Sequence, residues 1–154
     1  MAMSKAIVVS EFGDSSVLNY TEVEAPVAGP GQVLVRMRAT GVNFIEIYQS
    51  KGIYSIPLPH ILGAEGMGTI EALGEGVTNL EVGQRIAFTD GISTYAELAL
   101  VPADKALLIP AGMDDLTAAS LPLQGMTAHY LSSSSFHLGP EHTALIHAGA
   151  GGVG

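Results

Sequence analysis

Residues 143–154, TALIHAGAGGVG, carry the reading on which the architecture turns. Thr143 to Ala148 is an apolar run without polar alternation, the pattern of a strand covered on both faces. A turn of small residues, AGAGGVG from Ala148, follows it directly. Such a turn after a buried strand opens a βαβ unit. There bare backbone N–H groups can approach a pyrophosphate, and the next helix turns its positive end toward the anion. A parallel strand also needs crossover partners of about a dozen residues or more. The expectation is the first strand of a nucleotide-binding layer, in a longer two-domain protein whose remainder lies beyond Gly154.

Upstream of this strand the chain changes character near residue 112. The segment MDDLTAASLPLQGMTAHYLSSSS, 113–135, is rich in helix formers, with Asp114 and Asp115 suited to a helix N-terminus. Pro122 lacks an N–H and should interrupt the ladder. The spacing predicts a helix over 114–120, an irregular joint, and a second helix over about 125–134. Before it, residues 5–100 read as short strands between glycine-rich turns, with YSIPLPHILG (54–63) a proline-bearing loop and KALLIP (105–110) a further strand candidate. QVLVRMRAT, 32–40, is the clearest strand: Val33, Val35, Met37 and Ala39 share one face, and Leu34, Arg36 and Arg38 the other. NFIEIYQSKG, 43–52, reads as a short helix closed by Gly52. The fold class is mostly β with short helices, an antiparallel barrel or sandwich.

Composition narrows the function. The 154 residues include 6 Lys and Arg against 15 Asp and Glu, a net charge of −9. A phosphate-backbone binder needs clustered basic side chains, and here the few are scattered, so neither nucleic acid nor an anionic membrane surface is expected as a partner. There is no cysteine, which removes disulfides, thiol catalysis and thiolate-bound metal. No apolar run approaches membrane-spanning length, and MAMSKAIVVSEFGD is not a secretory leader. The expected location is cytoplasmic.

Five stretches together resemble the medium-chain dehydrogenase/reductase superfamily, and within it the zinc-independent NADPH:quinone oxidoreductases of the zeta-crystallin-like group. They are PGQVLVRMRATGVNFIEIYQSKGIY (30–54), LGAEGMGTIEALGEGVTNLEVGQRI (62–86), TYAELALVPADKALLIP (94–110), LPLQGMTAHYL (121–131) and LIHAGAGGVG (145–154). The resemblance implies a GroES-like, partly open barrel over 1–125 as substrate domain. It implies the first helix and strand of an incomplete Rossmann domain over 126–154. It implies NADPH as cofactor and a quinone or other electron-poor small molecule as substrate. Zinc-binding members carry a cysteine near the position of Asn43 and a histidine where Ala64 precedes Glu65, so no metal site is expected. An enal or enoyl reductase of the same superfamily, or a non-enzymatic GroES-like binding module, is the alternative.

The resemblance also assigns roles. Asn43, which by itself reads as a helix N-cap, would hydrogen-bond near the nicotinamide or the substrate carbonyl. Tyr48 and Tyr54 would form an aromatic wall for a flat quinone; without the resemblance they read as half-buried packing residues. Gln124 and Thr127 resemble positions lining the cofactor cleft. Ala148, Gly151 and Gly154, with Gly152 and Val153 between them, map onto the family's phosphate-binding turn. Glu65 reads as a strand-end residue paired with an arginine or a backbone N–H. Arg36 and Arg38 read as surface-strand residues. The apolar run at 143–148 invites pairing with another chain, so a homodimer or higher self-association is expected of the protein taken alone.

Overall fold

The structure, a computed structural model, describes residues 2–152. Two open antiparallel sheets dominate it. The first has three strands in the order β2-β1-β4, with β1 Met3–Val9, β2 Asn19–Glu24 and β4 His60–Ile61. The second has five in the order β7-β3-β5-β6-β8, with β3 Gln32–Thr40, β5 Gly66–Leu73, β6 Arg85–Phe88, β7 Leu98–Pro102 and β8 Leu107–Leu108. The segment before β7 joins the sheets. Ile7 N–H donates to Tyr95 O at 2.8 Å and Glu97 N–H donates to Lys5 O at 2.8 Å. The sheets do not close into a barrel. Helix α1, Phe44–Ser50, follows β3, and helix α2, Asp115–His129, follows β8.

The alternation in β6 sets the two layers. Ile86 and Phe88 face the main core with Val33, Val35, Ile70, Leu80 and Val101. Ala87, one residue out of step, faces α2 and meets Met67, Ala118 and Ala119. Strand β3 obeys the predicted alternation only as far as Met37. A register shift lies between Met37, opposite Gly68, and Ala39, opposite Met67. That bulge turns the next side chain to the other face, so Ala39 packs with Met67, Ala87, Ala118 and Ala119, not with Val33 and Val35. Gly68 is required opposite the bulge, because a Cβ there would overlap the Arg36 carbonyl and the Val35 side chain.

The helical region differs from expectation at Pro122. Helix α2 runs unbroken through it and across the predicted domain boundary at 125. The proline ring is buried with Ala118 and Ala119 on the face that meets the sheet, and this packing holds the turn that the missing N–H would have held. Asp114 caps the helix, accepting from Thr117 N–H at 3.0 Å and Thr117 Oγ1 at 2.7 Å. Asp115 accepts from Arg85 Nη2 at 2.6 Å and Arg38 Nε at 3.1 Å, tying the first turn to β6 and β3. Past His129 the helix widens into a π-turn over Tyr130–Ser135, where Ser132 Oγ donates back to Ala128 O at 2.7 Å.

The apolar run at 143–148 joins no ladder among the described residues. A strand of this type exists only where a neighbour supplies its hydrogen bonds, and neither sheet reaches it. Leu145 and Ile146 stand 83% and 65% exposed. Among the described residues no helix is long and apolar enough to cross a membrane.

Candidate functional site

The β3 bulge delivers the chain into a short loop, Gly41–Val42–Asn43, that begins α1. Asn43 has extended backbone angles and is the N-cap, as its residue type favours. Its backbone N–H donates to Glu46 Oε2 at 2.8 Å, and its side-chain Nδ2 donates to Glu65 Oε2 at 3.0 Å. One asparagine thus sits between two carboxylates, both nearly buried: Glu46 is 4% and Glu65 2% exposed.

Glu65 precedes β5 and is held at both ends. Its carbonyl accepts from Gly41 N–H at 3.0 Å, Thr40 Oγ1 at 2.9 Å and Thr94 Oγ1 at 3.3 Å. Its Oε1 accepts from Leu123 N–H at 3.3 Å. With the Gln124 amide turned to donate, Gln124 reaches the same oxygen at 3.2 Å and Ser120 O at 2.6 Å. No arginine is a partner: Arg36 pairs with Glu71, and Arg38 and Arg85 with Asp115. Of the two expected partners, an arginine or a backbone N–H, the second is present as Leu123 N–H, and the side-chain amides of Asn43 and Gln124 join it. A lone carboxylate in the otherwise uncharged stretch LGAEGMG was the available signal, and spacing alone does not name partners 22 and 58 residues away.

Between the loop and α2 lies a cleft of about 490 Å³, walled by Thr40, Gly41, Val42, Glu65, Ser120 and Gln124. A second of about 480 Å³ lies across Thr40 and Val42, against Tyr20, Tyr95 and Lys5. Both fall in the size range of small-molecule sites. Of the residues singled out from sequence, Asn43 and Gln124 converge on Glu65, and Gln124 lines the first cleft. Tyr48 and Tyr54 line neither cavity. They form an edge-to-face pair, ring centroids 5.5 Å apart, with Phe44 6.3 Å from Tyr48. The Tyr48 carbonyl accepts from the N–H groups of Ile53 and Tyr54 at 2.9 and 3.2 Å, which folds the second ring beside the first. Thr127 lies on α2, away from both cavities. Ala148, Gly151 and Gly152 form an exposed turn in which Gly151 N–H donates to Ala148 O at 2.7 Å. Val153 and Gly154 lie outside the described residues. Among the described residues no three His, Cys, Asp or Glu side chains gather as a metal site would require.

Burial pushes the Glu46 carboxyl above the usual glutamate range; the Asn43 N–H opposes this, and the neighbouring Glu65 adds to it. Burial, with the Glu46 charge, pushes the Tyr95 phenol up to about 12, and its buried hydroxyl has no hydrogen-bond partner among the described residues. The folded state therefore holds the Glu46 proton more tightly than the unfolded chain does, so this residue's contribution to stability falls as pH rises from the unfolded glutamate pKa through the raised folded one. Glu46→Gln keeps an oxygen for Asn43 N–H and removes the ionisation. The variant should match the parent near pH 4 and gain on it by pH 7, read from thermal melts at both. A parent that gains relative to the variant with rising pH would refute the shift. Asp114 and Asp115 have the opposite sign. Thr117 lowers the first, and Arg85 then Arg38 lower the second, so their contribution is lost only as pH falls through their depressed folded values.

Residues 29–111 match the alcohol dehydrogenase GroES-like domain. A quinone oxidoreductase of Pseudomonas aeruginosa is 41% identical over 154 residues, covering 99% of this chain and 47% of that protein. A 2-haloacrylate reductase of a Burkholderia species is 37% identical over 160 residues, covering 99% of this chain and 48% of its own length. A mycobacterial protein solved in complex with NADPH superposes with a TM-score of 0.93 at 40% identity, over 97% of this chain and 47% of that one. The chain spans about half the length of the relatives it matches.

Proposed function

Because the chain belongs to the alcohol dehydrogenase GroES-like family of medium-chain dehydrogenases/reductases, we propose that it forms the substrate-binding portion of an NADPH-dependent, zinc-independent quinone oxidoreductase. The observation that carries this reading is the cleft between the Gly41–Asn43 loop and α2, with Asn43 and Gln124 meeting at one buried carboxylate. On this reading residues 1–125 are the substrate domain, and 126–154 begin the nucleotide-binding domain.

The residues present fit the nicotinamide end of the cofactor. The cleft is large enough for a flat ring and offers the Gln124 amide and the Thr40 hydroxyl as polar edges. The glycine turn at 149–152 would hold the pyrophosphate through backbone N–H groups. When bound, NADPH supplies a hydride from C4 of the nicotinamide. The protein's part is placement. On this reading Asn43 would hydrogen-bond near the reacting partner, and its loop would help to hold substrate and nicotinamide in a near-attack arrangement. Tyr48 and Tyr54 line neither cavity of this portion, so their role as an apolar wall for the quinone rests on family membership alone; the oxygen that gains charge would be met by hydrogen-bond donors while its proton comes from water. Zinc has no place in this scheme: the chain lacks cysteine, and Ala64 precedes Glu65 where zinc-binding members carry histidine.

The 2-haloacrylate reductase relative favours a second reading, reduction of an activated alkene. The two separate on substrate. The full-length protein should oxidise NADPH with a benzoquinone at least about tenfold faster than with a 2-haloacrylate, a margin of about 1.4 kcal/mol in barrier. The reverse order selects the second reading, and no turnover with either sinks both. Tyr48→Phe should retain most of the quinone activity, because the ring and not the hydroxyl is used. A loss above tenfold would make Tyr48 an acid. A homodimer is part of the proposal, and the exposed Leu145 and Ile146 are the side chains that would draw this portion into self-association when isolated.

A further inference from the structure

We propose that Glu65 is a positioning residue: its single buried carboxylate fixes the Asn43 side-chain amide on one side and ties it to the Leu123–Gln124 turn of α2 on the other. This rests on the reading of Asn43 as a reaction-site residue. Both carboxylate oxygens are used, Oε2 by Asn43 Nδ2 at 3.0 Å and Oε1 by Leu123 N–H at 3.3 Å and the Gln124 amide at 3.2 Å. The donors come from the N-cap of α1 and the middle of α2, and among the described residues no other hydrogen bond connects the two. Stability alone does not account for it. Burying a carboxylate against neutral donors is costly, and an apolar residue of similar volume would often serve the core as well or better. The surroundings are nonetheless shaped to the carboxylate. A Cβ on Gly41 would overlap it, and the Thr40 and Thr94 hydroxyls fix the Glu65 carbonyl from the other side. With Nδ2 turned to Glu65, the Asn43 amide is held in one of its two orientations before any ligand arrives, which is the preorganisation that hydrogen-bond catalysis needs.

A carboxylate accepts along both edges, whereas an amide accepts along one and donates along the other. Glu65→Gln keeps shape and volume but sets an NH2 against either Asn43 or the Leu123–Gln124 donors. One of the two tethers must break. The test is a double-mutant cycle in the full-length enzyme, with kcat, KM for NADPH and melting temperature measured for Asn43→Ala, Glu65→Gln and the double variant. Glu65→Gln should lower kcat about tenfold, the equivalent of one well-placed hydrogen bond. KM should change less than threefold, and the kcat loss should vanish in the Asn43→Ala background. A loss of equal size in both backgrounds overturns the proposal, since Glu65 would then act without Asn43.

A second measurement needs no variant and no turnover. In protein labelled with 15N at asparagine, the Asn43 Nδ2 protons should be shifted downfield and exchange slowly with water. Ordinary, freely exchanging Asn43 signals overturn the tether. Should Asn43→Ala leave kcat unchanged, the functional reading of Asn43 falls. Those amide signals then decide, separately, whether Glu65 holds the side chain. If Glu65→Gln does not fold, they still give the answer.

Discussion

Replacing Phe88 with alanine should lower the free energy of unfolding by about 3–5 kcal/mol. The ring is fully buried on β6, where Val33, Val35, Ile70, Leu80, Ile86 and Val101 surround it. Strands from both sides fix its walls: β5 lies against β6 through the pairs Gly66–Phe88 and Gly68–Ile86, and the loop at Gly91 passes close enough that a Cβ there would meet the ring. A site so enclosed cannot collapse when the ring is removed, which puts the cost toward the top of the range. Domains of this size are stable by only about 5–15 kcal/mol, so the variant should lose a large fraction of its margin. Urea unfolding should show the midpoint fall with the slope unchanged. A loss below about 1 kcal/mol would mean that the five-stranded sheet and its loops do not enclose this core.

How far these features are legible in the sequence depends on the range of the interaction. The strands of 5–100 and the helix capped by Asn43 are written in local alternation and turn residues, and most form where the pattern places them; β4, His60–Ile61, lies inside the stretch read as a proline-bearing loop, because its partners Val8 and Val9 are distant in sequence. The reading of β3 fails after Met37, because a bulge is set by the partner strand. Gly68, 31 residues away, admits the close backbone approach that makes the shift possible. At Pro122 a correct local rule loses to packing. The ring is buried on the helix face that also carries Ala118 and Ala119, and this burial offsets the missing hydrogen bond. The run at 143–148 shows the converse. Its composition is that of a buried strand, yet composition supplies no neighbour to pair with.

The site was legible unevenly for the same reason. Asn43 could be found because N-caps are local and because the surrounding motif is specific. Gln124 sits in an equally specific stretch. Glu65 drew a strand-end role because a single carboxylate in a glycine-rich strand has many uses, and its partners lie on elements distant in sequence. A small residue facing it was the second half of the signal, and Gly41 reads locally as nothing more than a turn glycine.

Gly41→Ala should therefore be far more damaging than a one-carbon change at a loop position suggests. The added Cβ would fall on the Glu65 carboxylate. Relief by moving Glu65 is closed off: Asn43, Leu123 and Gln124 hold its oxygens, and Gly41 N–H, Thr40 and Thr94 hold its carbonyl. Movement of the loop instead would draw Asn43 off its partners at Glu46 and Glu65 together. Overpacking of this kind costs about 1–3 kcal/mol, and each buried donor left without an acceptor adds about 1–3 kcal/mol. A total near 3 kcal/mol is expected, visible as a lower urea midpoint. With the proposed reductase activity, the full-length protein should lose about a hundredfold in kcat, because loop and amide move together and a misplacement of about 1 Å can cost that much. Pairing with Glu65→Ala, which removes the overlapped carboxylate, should recover stability in part but not kcat. Were Gly41→Ala to melt and turn over like the parent, the loop would have to yield freely, and the cleft as described would not be the one that binds.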